Sequence, residues 1–194
     1  MNLKPTLLAV GLAVACGGLA IAPAALAADG TINITGKVLN GTCNVSVNGG
    51  ASVVLPDVQA SALTAGSADN ADAQGFTVGL NGCPSSPSGV RVGLTFTSTN
   101  ADTGTGSGTL NNTGVTDLDV QLMHTSDGVT APALTTSGGT PVALDGSTVT
   151  GAVTLTSAGT ANFNFYAQYY PLSTWTSADT GAVSTSAEFN VNYQ

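Results

Sequence analysis

Apolar and polar residues alternate with period two along most of the chain beyond residue 30, and no segment sustains the 3.6-residue spacing of an amphipathic helix. The alternation predicts strands over Thr31–Val38, Gly75–Leu80, Gly89–Phe96 and Leu118–Leu122. A weaker strand is expected over Val149–Thr156. Ala161–Phe165 continues into Tyr166, Tyr169 and Tyr170, and the chain ends in Ala187–Gln194. In that last stretch Phe189, Val191 and Tyr193 share one face, as do Phe76, Val78 and Leu80 earlier. Turn chemistry separates the strands: Asn48-Gly49-Gly50, Ser126-Asp127-Gly128, a Gly/Thr/Ser/Asn loop over Ala101–Gly114 and another over Ser177–Gly181. Gln59–Leu63 is expected to form one helical turn. Seven or more short strands with regular turns predict an all-β antiparallel sandwich or barrel, without internal repeats and without a linker.

The first 27 residues break this pattern. Lys4 precedes an apolar run from Leu7 to Ala22, and Ala25-Leu26-Ala27 is a small-x-small cleavage site. Residues 1–27 therefore read as a signal peptide. The rival readings are a membrane anchor and a lipoprotein signal at Cys16. Gly11, Gly17, Gly18 and Pro23 argue against the anchor, and the apolar run passes beyond Cys16. Cleavage after Ala27 leaves an exported chain with Lys37 and Arg91 as its only cations, against all eleven acids.

Charge then narrows the function. Charged residues are 7% of the chain, against roughly 25% in an average domain. Two cations make no basic patch, so no nucleic-acid partner is expected. A single histidine, His124, makes no multi-His metal site and no general base within a GxSxG context. It reads as an exposed turn residue. Asp117 and Asp119 share a strand face, as paired glycosidase carboxylates would, but surface acids on an edge strand explain them as well. Gly104-Thr105-Gly106-Ser107-Gly108 resembles a phosphate loop in composition only, because neither a lysine nor a helix follows. No catalytic residue, metal or cofactor is expected. Six of the ten aromatics lie between Phe163 and Trp175. The phenylalanines read as core, while Tyr169, Tyr170 and Trp175 are open to a sugar-binding role.

Cys43 and Cys83 are the cysteine pair of the exported chain, which predicts a disulfide closing a loop of about 40 residues, worth about 4 kcal/mol on the chain-entropy account. Both ends of the exported chain are alternating strands. The Ile32/Ile34 stretch carries neither the charge nor the proline that usually protects an edge. It is either a strand seeking a partner or the ordinary first strand of a closed sheet.

Several residues together resemble the pilin subunits of chaperone–usher fimbriae of the type 1 kind. Gly75–Cys83 ends a strand in a cysteine, and Gly30–Cys43 is similar to that family's donor extension and first strand. Tyr193 is a penultimate aromatic, and Gly181 stands fourteenth from the C-terminus, where the family places a glycine. The resemblance implies an immunoglobulin-like sandwich lacking its last strand and completed by a donor strand. It divides the chain into a signal peptide (1–27), a donor extension running into the first strand (28–40) and a pilin domain (41–194). It implies that Gly30, Ile32, Ile34 and Gly36 enter a neighbour's groove, with Ala28 as the initiating contact. Gly181, Phe189, Val191 and Tyr193 would contribute to the chain's own acceptor groove. Implied partners are other pilin subunits in a homopolymer, a periplasmic chaperone and an outer-membrane usher; the implied location is a surface fimbrium reached through the periplasm. The function so implied is structural and adhesive. The alternatives are a small outer-membrane β-barrel, opposed by the cysteine pair and the sparse aromatics, and a secreted carbohydrate-binding sandwich.

Overall fold

The computed structural model of the chain describes residues 38–39, 41–47, 52–84, 89–105, 108–128, 136–155 and 157–194. The expected signal peptide and the expected donor residues Ala28, Gly30, Ile32, Ile34 and Gly36 lie outside them, as does the predicted strand Thr31–Val38 except for Val38. So does the turn at 48–50.

Among the described residues nine strands form: β1 (Asn44–Val47), β2 (Asp69–Asn81), β3 (Arg91–Thr97), β4 (Thr109–Asn111), β5 (Leu118–Gly128), β6 (Thr140–Pro141), β7 (Asp145–Thr154), β8 (Ala161–Pro171) and β9 (Glu188–Tyr193). The expected helical turn is a short 3-10 turn, Ala60–Ala62. The larger sheet runs β1-β2-β8-β5-β4, with β6 also on β5; the smaller runs β7-β3-β9. Every ladder is antiparallel. The molecule is thus a sandwich with open sheet edges.

Period-two patterning fixes which side chains meet between the sheets. Val78 and Leu80 of β2, Val92, Leu94 and Phe96 of β3, Leu122 of β5, and Phe163 and Phe165 of β8 form one buried cluster. Phe165 is its centre: Phe76 stacks on it at 5.5 Å and Phe96 meets it edge-on at 5.2 Å. Such offset pairs add to the burial of large apolar area. The disulfide between Cys43 and Cys83 forms as expected. It ties the start of β1 to the end of β2.

Some sequence expectations differ from the structure. Ser126-Asp127-Gly128 is not a tight turn. β5 continues through it past an irregularity between His124 and Ser126, because β8 pairs with it as far as Asn162. His124 is therefore a strand residue, partly buried, in contact with Asp127 and 5.3 Å from the Phe165 ring. β5 is no edge strand either, since β4 and β8 flank it. Asp117 precedes the strand with φ 56°, whereas Asp119 is 3% exposed, so the two acids share no surface face.

A second, smaller cluster holds Leu63, Val115, Leu118, Tyr169 and Trp175. The Tyr169 hydroxyl donates to the Pro56 carbonyl at 3.0 Å. Tyr169 and Trp175 are core residues here, and Tyr170 points to the other face of β8, so the three rings form no platform.

Candidate functional site

An open groove of about 1010 Å³ lies along the side of the sandwich. Its floor is the inward face of the core: Phe76 and Val78 from β2, Phe96 from β3, Val120 and Leu122 from β5, Ala167 and Tyr169 from β8. One rim is Val47 of β1 with the extended segment Ser52–Leu55. The other is Gly181–Ala187 running into Phe189 of β9. The rims are built mostly from small or β-branched residues, with Ser and Thr on the second, over an apolar floor. Val54, on the first rim, is 76% exposed.

The β9 backbone decides what the groove can accept. Arg91 and Gln194 exchange both backbone hydrogen bonds, at 3.2 and 2.9 Å. The register pairs Gly93 with Asn192, Thr95 with Asn190 and Thr97 with Glu188. In an antiparallel ladder hydrogen-bonded and non-hydrogen-bonded pairs alternate. Asn190 and Asn192 therefore bond to β3, and the N–H and C=O groups of Phe189, Val191 and Tyr193 point away from it. Among the described residues no strand pairs with that edge. The same three residues turn their side chains to the core. β9 thus presents three unpaired donors and three unpaired acceptors beside an apolar trough, which is the geometry that accepts one more strand.

The residues singled out in the sequence are distributed as follows. Gly181 and Phe189 line the groove. Phe189 also meets Phe96, with ring centroids at 5.8 Å. Val191 and Tyr193 pack against the main core cluster further along β9, the strand that Phe189 shares with them. The Tyr193 hydroxyl accepts the Cys43 N–H at 2.7 Å, which links the end of β9 to the disulfide. Sequence reasoning missed the floor residues, which come from four separate strands. Val38, the last residue of the predicted strand Thr31–Val38, is 93% exposed.

At one end the groove meets a smaller cavity of about 220 Å³, which shares Asp57, Tyr169, Gly181 and Val183 with it. Burial, followed by the charges of Asp57, Asp72 and Asp69, raises the pKa of the Tyr169 phenol, so it stays a neutral donor to Pro56. Backbone and side-chain bonds hold the second rim. Thr113 N–H donates to Ser184 O at 3.2 Å, Ser98 Oγ to Ser186 O at 2.6 Å and Thr185 Oγ1 to Asn111 O at 2.8 Å. Gly114 lets the rim pass, because a Cβ there would run into the Ala182 carbonyl.

Comparison with known proteins agrees with this geometry. Residues 32–194 match the family profile described as "Fimbrial protein". The chain belongs to the fimbrial protein family. This fimbrial protein is 32% identical over 182 residues to the major fimbrial subunit SMF-1 of Stenotrophomonas maltophilia (strain K279a), an alignment covering 90% of this chain and 99% of that relative. Its fold is similar to that of the P pilus rod subunit PapA, with a TM-score of 0.58 at 24% identity, covering 79% of this chain and 100% of that one. A subunit from a chaperone–usher pilus structure that addresses rod uncoiling matches with a TM-score of 0.56 at 23% identity, covering 89% of this chain and 100% of that one.

Proposed function

We propose that this fimbrial protein is a structural subunit of a surface pilus that polymerises by strand donation. The segment around Ile32 and Ile34 of one copy fills the groove of another. The observation that carries this reading is the unpaired, outward-facing backbone of Phe189, Val191 and Tyr193 beside an apolar floor. Every ladder of the fold is antiparallel, so the incoming strand runs antiparallel to β9 and completes the smaller sheet. Each buried isoleucine contributes roughly 2–3 kcal/mol and each net ladder hydrogen bond about 1 kcal/mol. Gly30 and Gly36 carry no side chain and so let the strand pass close to neighbouring backbone, and Val38 extends the apolar face. The contact is head-to-tail and does not close, so it builds a filament.

A subunit with an open groove exposes apolar surface and a bare strand edge, both aggregation hazards. Before assembly, therefore, a periplasmic chaperone covers the groove after signal-peptide cleavage at Ala27, and an outer-membrane usher exchanges that cover for the next subunit. The assembled pilus serves adhesion.

The test is the double variant Ile32→Asp/Ile34→Asp, which leaves the groove untouched. Two carboxylates driven into an apolar trough without partners cost several kcal/mol. The variant accumulates as exported, folded subunit, and electron microscopy shows cells without filaments. Normal filaments from the double variant would refute strand donation by this segment.

A further inference from the structure

On the face of β5 opposite Val120 and Leu122 of the groove floor two carboxyl groups meet. Asp119, on β5, is 3% exposed, and its Oδ2 has no hydrogen-bond partner among the described residues. Its side chain bonds to that of Asp102, in the loop between β3 and β4. A hydrogen bond between two carboxyl groups needs one proton, and a second carboxylate beside the buried Asp119 disfavours its ionised form. The surroundings assign that proton. Asp102 accepts the Gly104 N–H at 2.8 Å and the Thr105 hydroxyl, and these bonds hold its pKa down. Burial first, then the bond to Asp102 and its charge, push the Asp119 carboxyl up to about 6.

No compensating cation is at hand. Arg91, the one lysine or arginine among the described residues, sits on β3 and donates to the Ala152 carbonyl at 3.1 Å. Asp119 faces Asn111 across the ladder on β4 and Tyr170 on β8. Gln121 follows on its own strand face, and Asp117 lies two residues before it. His124 is further along β5 and faces Asp127 and Phe165 instead.

The pair is wired to the groove. Asp102 N–H donates to Thr109 O at 2.9 Å and Asn111 N–H to Asn100 O at 2.7 Å, so the loop is stitched to β4. The same loop and β4 hold the rim through Ser98 to Ser186 and through Thr185 to Asn111. We propose that Asp102 and Asp119 share a single proton, and that losing it loosens the strap holding the groove rim, so that the groove opens to strand exchange more readily at neutral than at mildly acid pH. The sign follows from linkage. A carboxyl whose pKa is raised by folding binds more protons in the folded state, so its contribution is present on the acid side and is lost as pH rises from about 4 through about 6.

Two measurements test this. The first is the thermal midpoint of purified filaments between pH 5 and pH 7.5. For the wild type it falls by several degrees as pH rises; in Asp119→Asn, an isostere that stays neutral, the fall disappears. Asp102→Asn, at the more open member of the pair, reduces the slope without abolishing it, because burial alone still raises the Asp119 carboxyl, and it serves should the buried variant not fold. A variant profile as steep as the wild type would overturn the proposal. A slope that vanishes on adding calcium ions would overturn it too, by assigning the pair to a cation. The second measurement rests on the strand-donation reading: the rate at which a peptide of residues 28–40 displaces the chaperone from the purified complex. The wild type exchanges at least threefold faster at pH 7.5 than at pH 5.5, and Asp119→Asn exchanges equally at both. Displacement with unchanged pH dependence in Asp119→Asn overturns the proton pair alone. No displacement at either pH overturns strand donation, and the filament midpoints still judge the pair.

Discussion

The Tyr193 hydroxyl accepts the Cys43 N–H, and with that bond one side chain joins the end of the last strand to the disulfide. Removing it leaves a partly buried donor unpaired, a loss of about 1–2 kcal/mol. Tyr193→Phe is therefore expected to lower the thermal midpoint of the subunit by a few degrees while the disulfide, checked by intact mass under non-reducing conditions, still forms. Residues of this kind were unevenly legible in the sequence. The cysteine pair was readable because export and pair counting leave little choice. Phe189 and Gly181 were placed in the groove by resemblance, and they line it. Val191 and Tyr193, assigned to the same groove, pack on the core beside Phe189 along one face of β9, the face that periodicity predicts. Asp119 looked like a surface acid. Its burial depends on β4 and on a loop from earlier in the chain, contacts that no local pattern encodes.

At the scale of the element, β9 works with its two backbone edges doing different jobs. Asn190 and Asn192 bond to β3 and hold the strand in place; the backbone groups of Phe189, Val191 and Tyr193 pair with no strand among the described residues. Proline, which removes one N–H and fits an outward-facing edge position, separates the two roles. Val191→Pro, compared with Val191→Ala, is expected to cost the isolated subunit little and to block filament formation. Asn190→Pro removes a bond to β3 and is expected to destabilise the subunit itself by at least about 1 kcal/mol in chemical unfolding. Equal effects of both prolines on subunit stability would mean that the assignment of the free edge is wrong. The long strands β2, β3, β5, β8 and β9 were all visible as period-two patterns. β1, β4 and β6 were not, since strands of two to four residues carry no readable period and form only because a neighbour pairs with them. β2 and β5 outran their predicted lengths for the same reason: β8 pairs with both over nearly its whole length.

For the whole molecule, charge and incompleteness set the behaviour. Beyond residue 27 the chain carries eleven acids against Lys37 and Arg91, and the sequence pI is about 4.1. Filaments of such subunits repel one another at neutral pH and are expected to bundle as pH approaches 4, which light scattering across a pH titration reads directly. The sandwich class was legible from the pattern of strands and turns, whereas the groove was not, because its floor gathers residues from 76 to 169 and exists only once the sheets have packed. The central claim is that a segment of another copy completes this sandwich. An electron cryo-microscopy reconstruction of the native filament tests it most directly. The account predicts a strand in every groove, antiparallel to β9 and bonded to Phe189, Val191 and Tyr193. Its side chains Ile32 and Ile34 face the floor, and its density runs on into the neighbouring subunit. A groove that is empty, or one filled by the subunit's own chain, would contradict it.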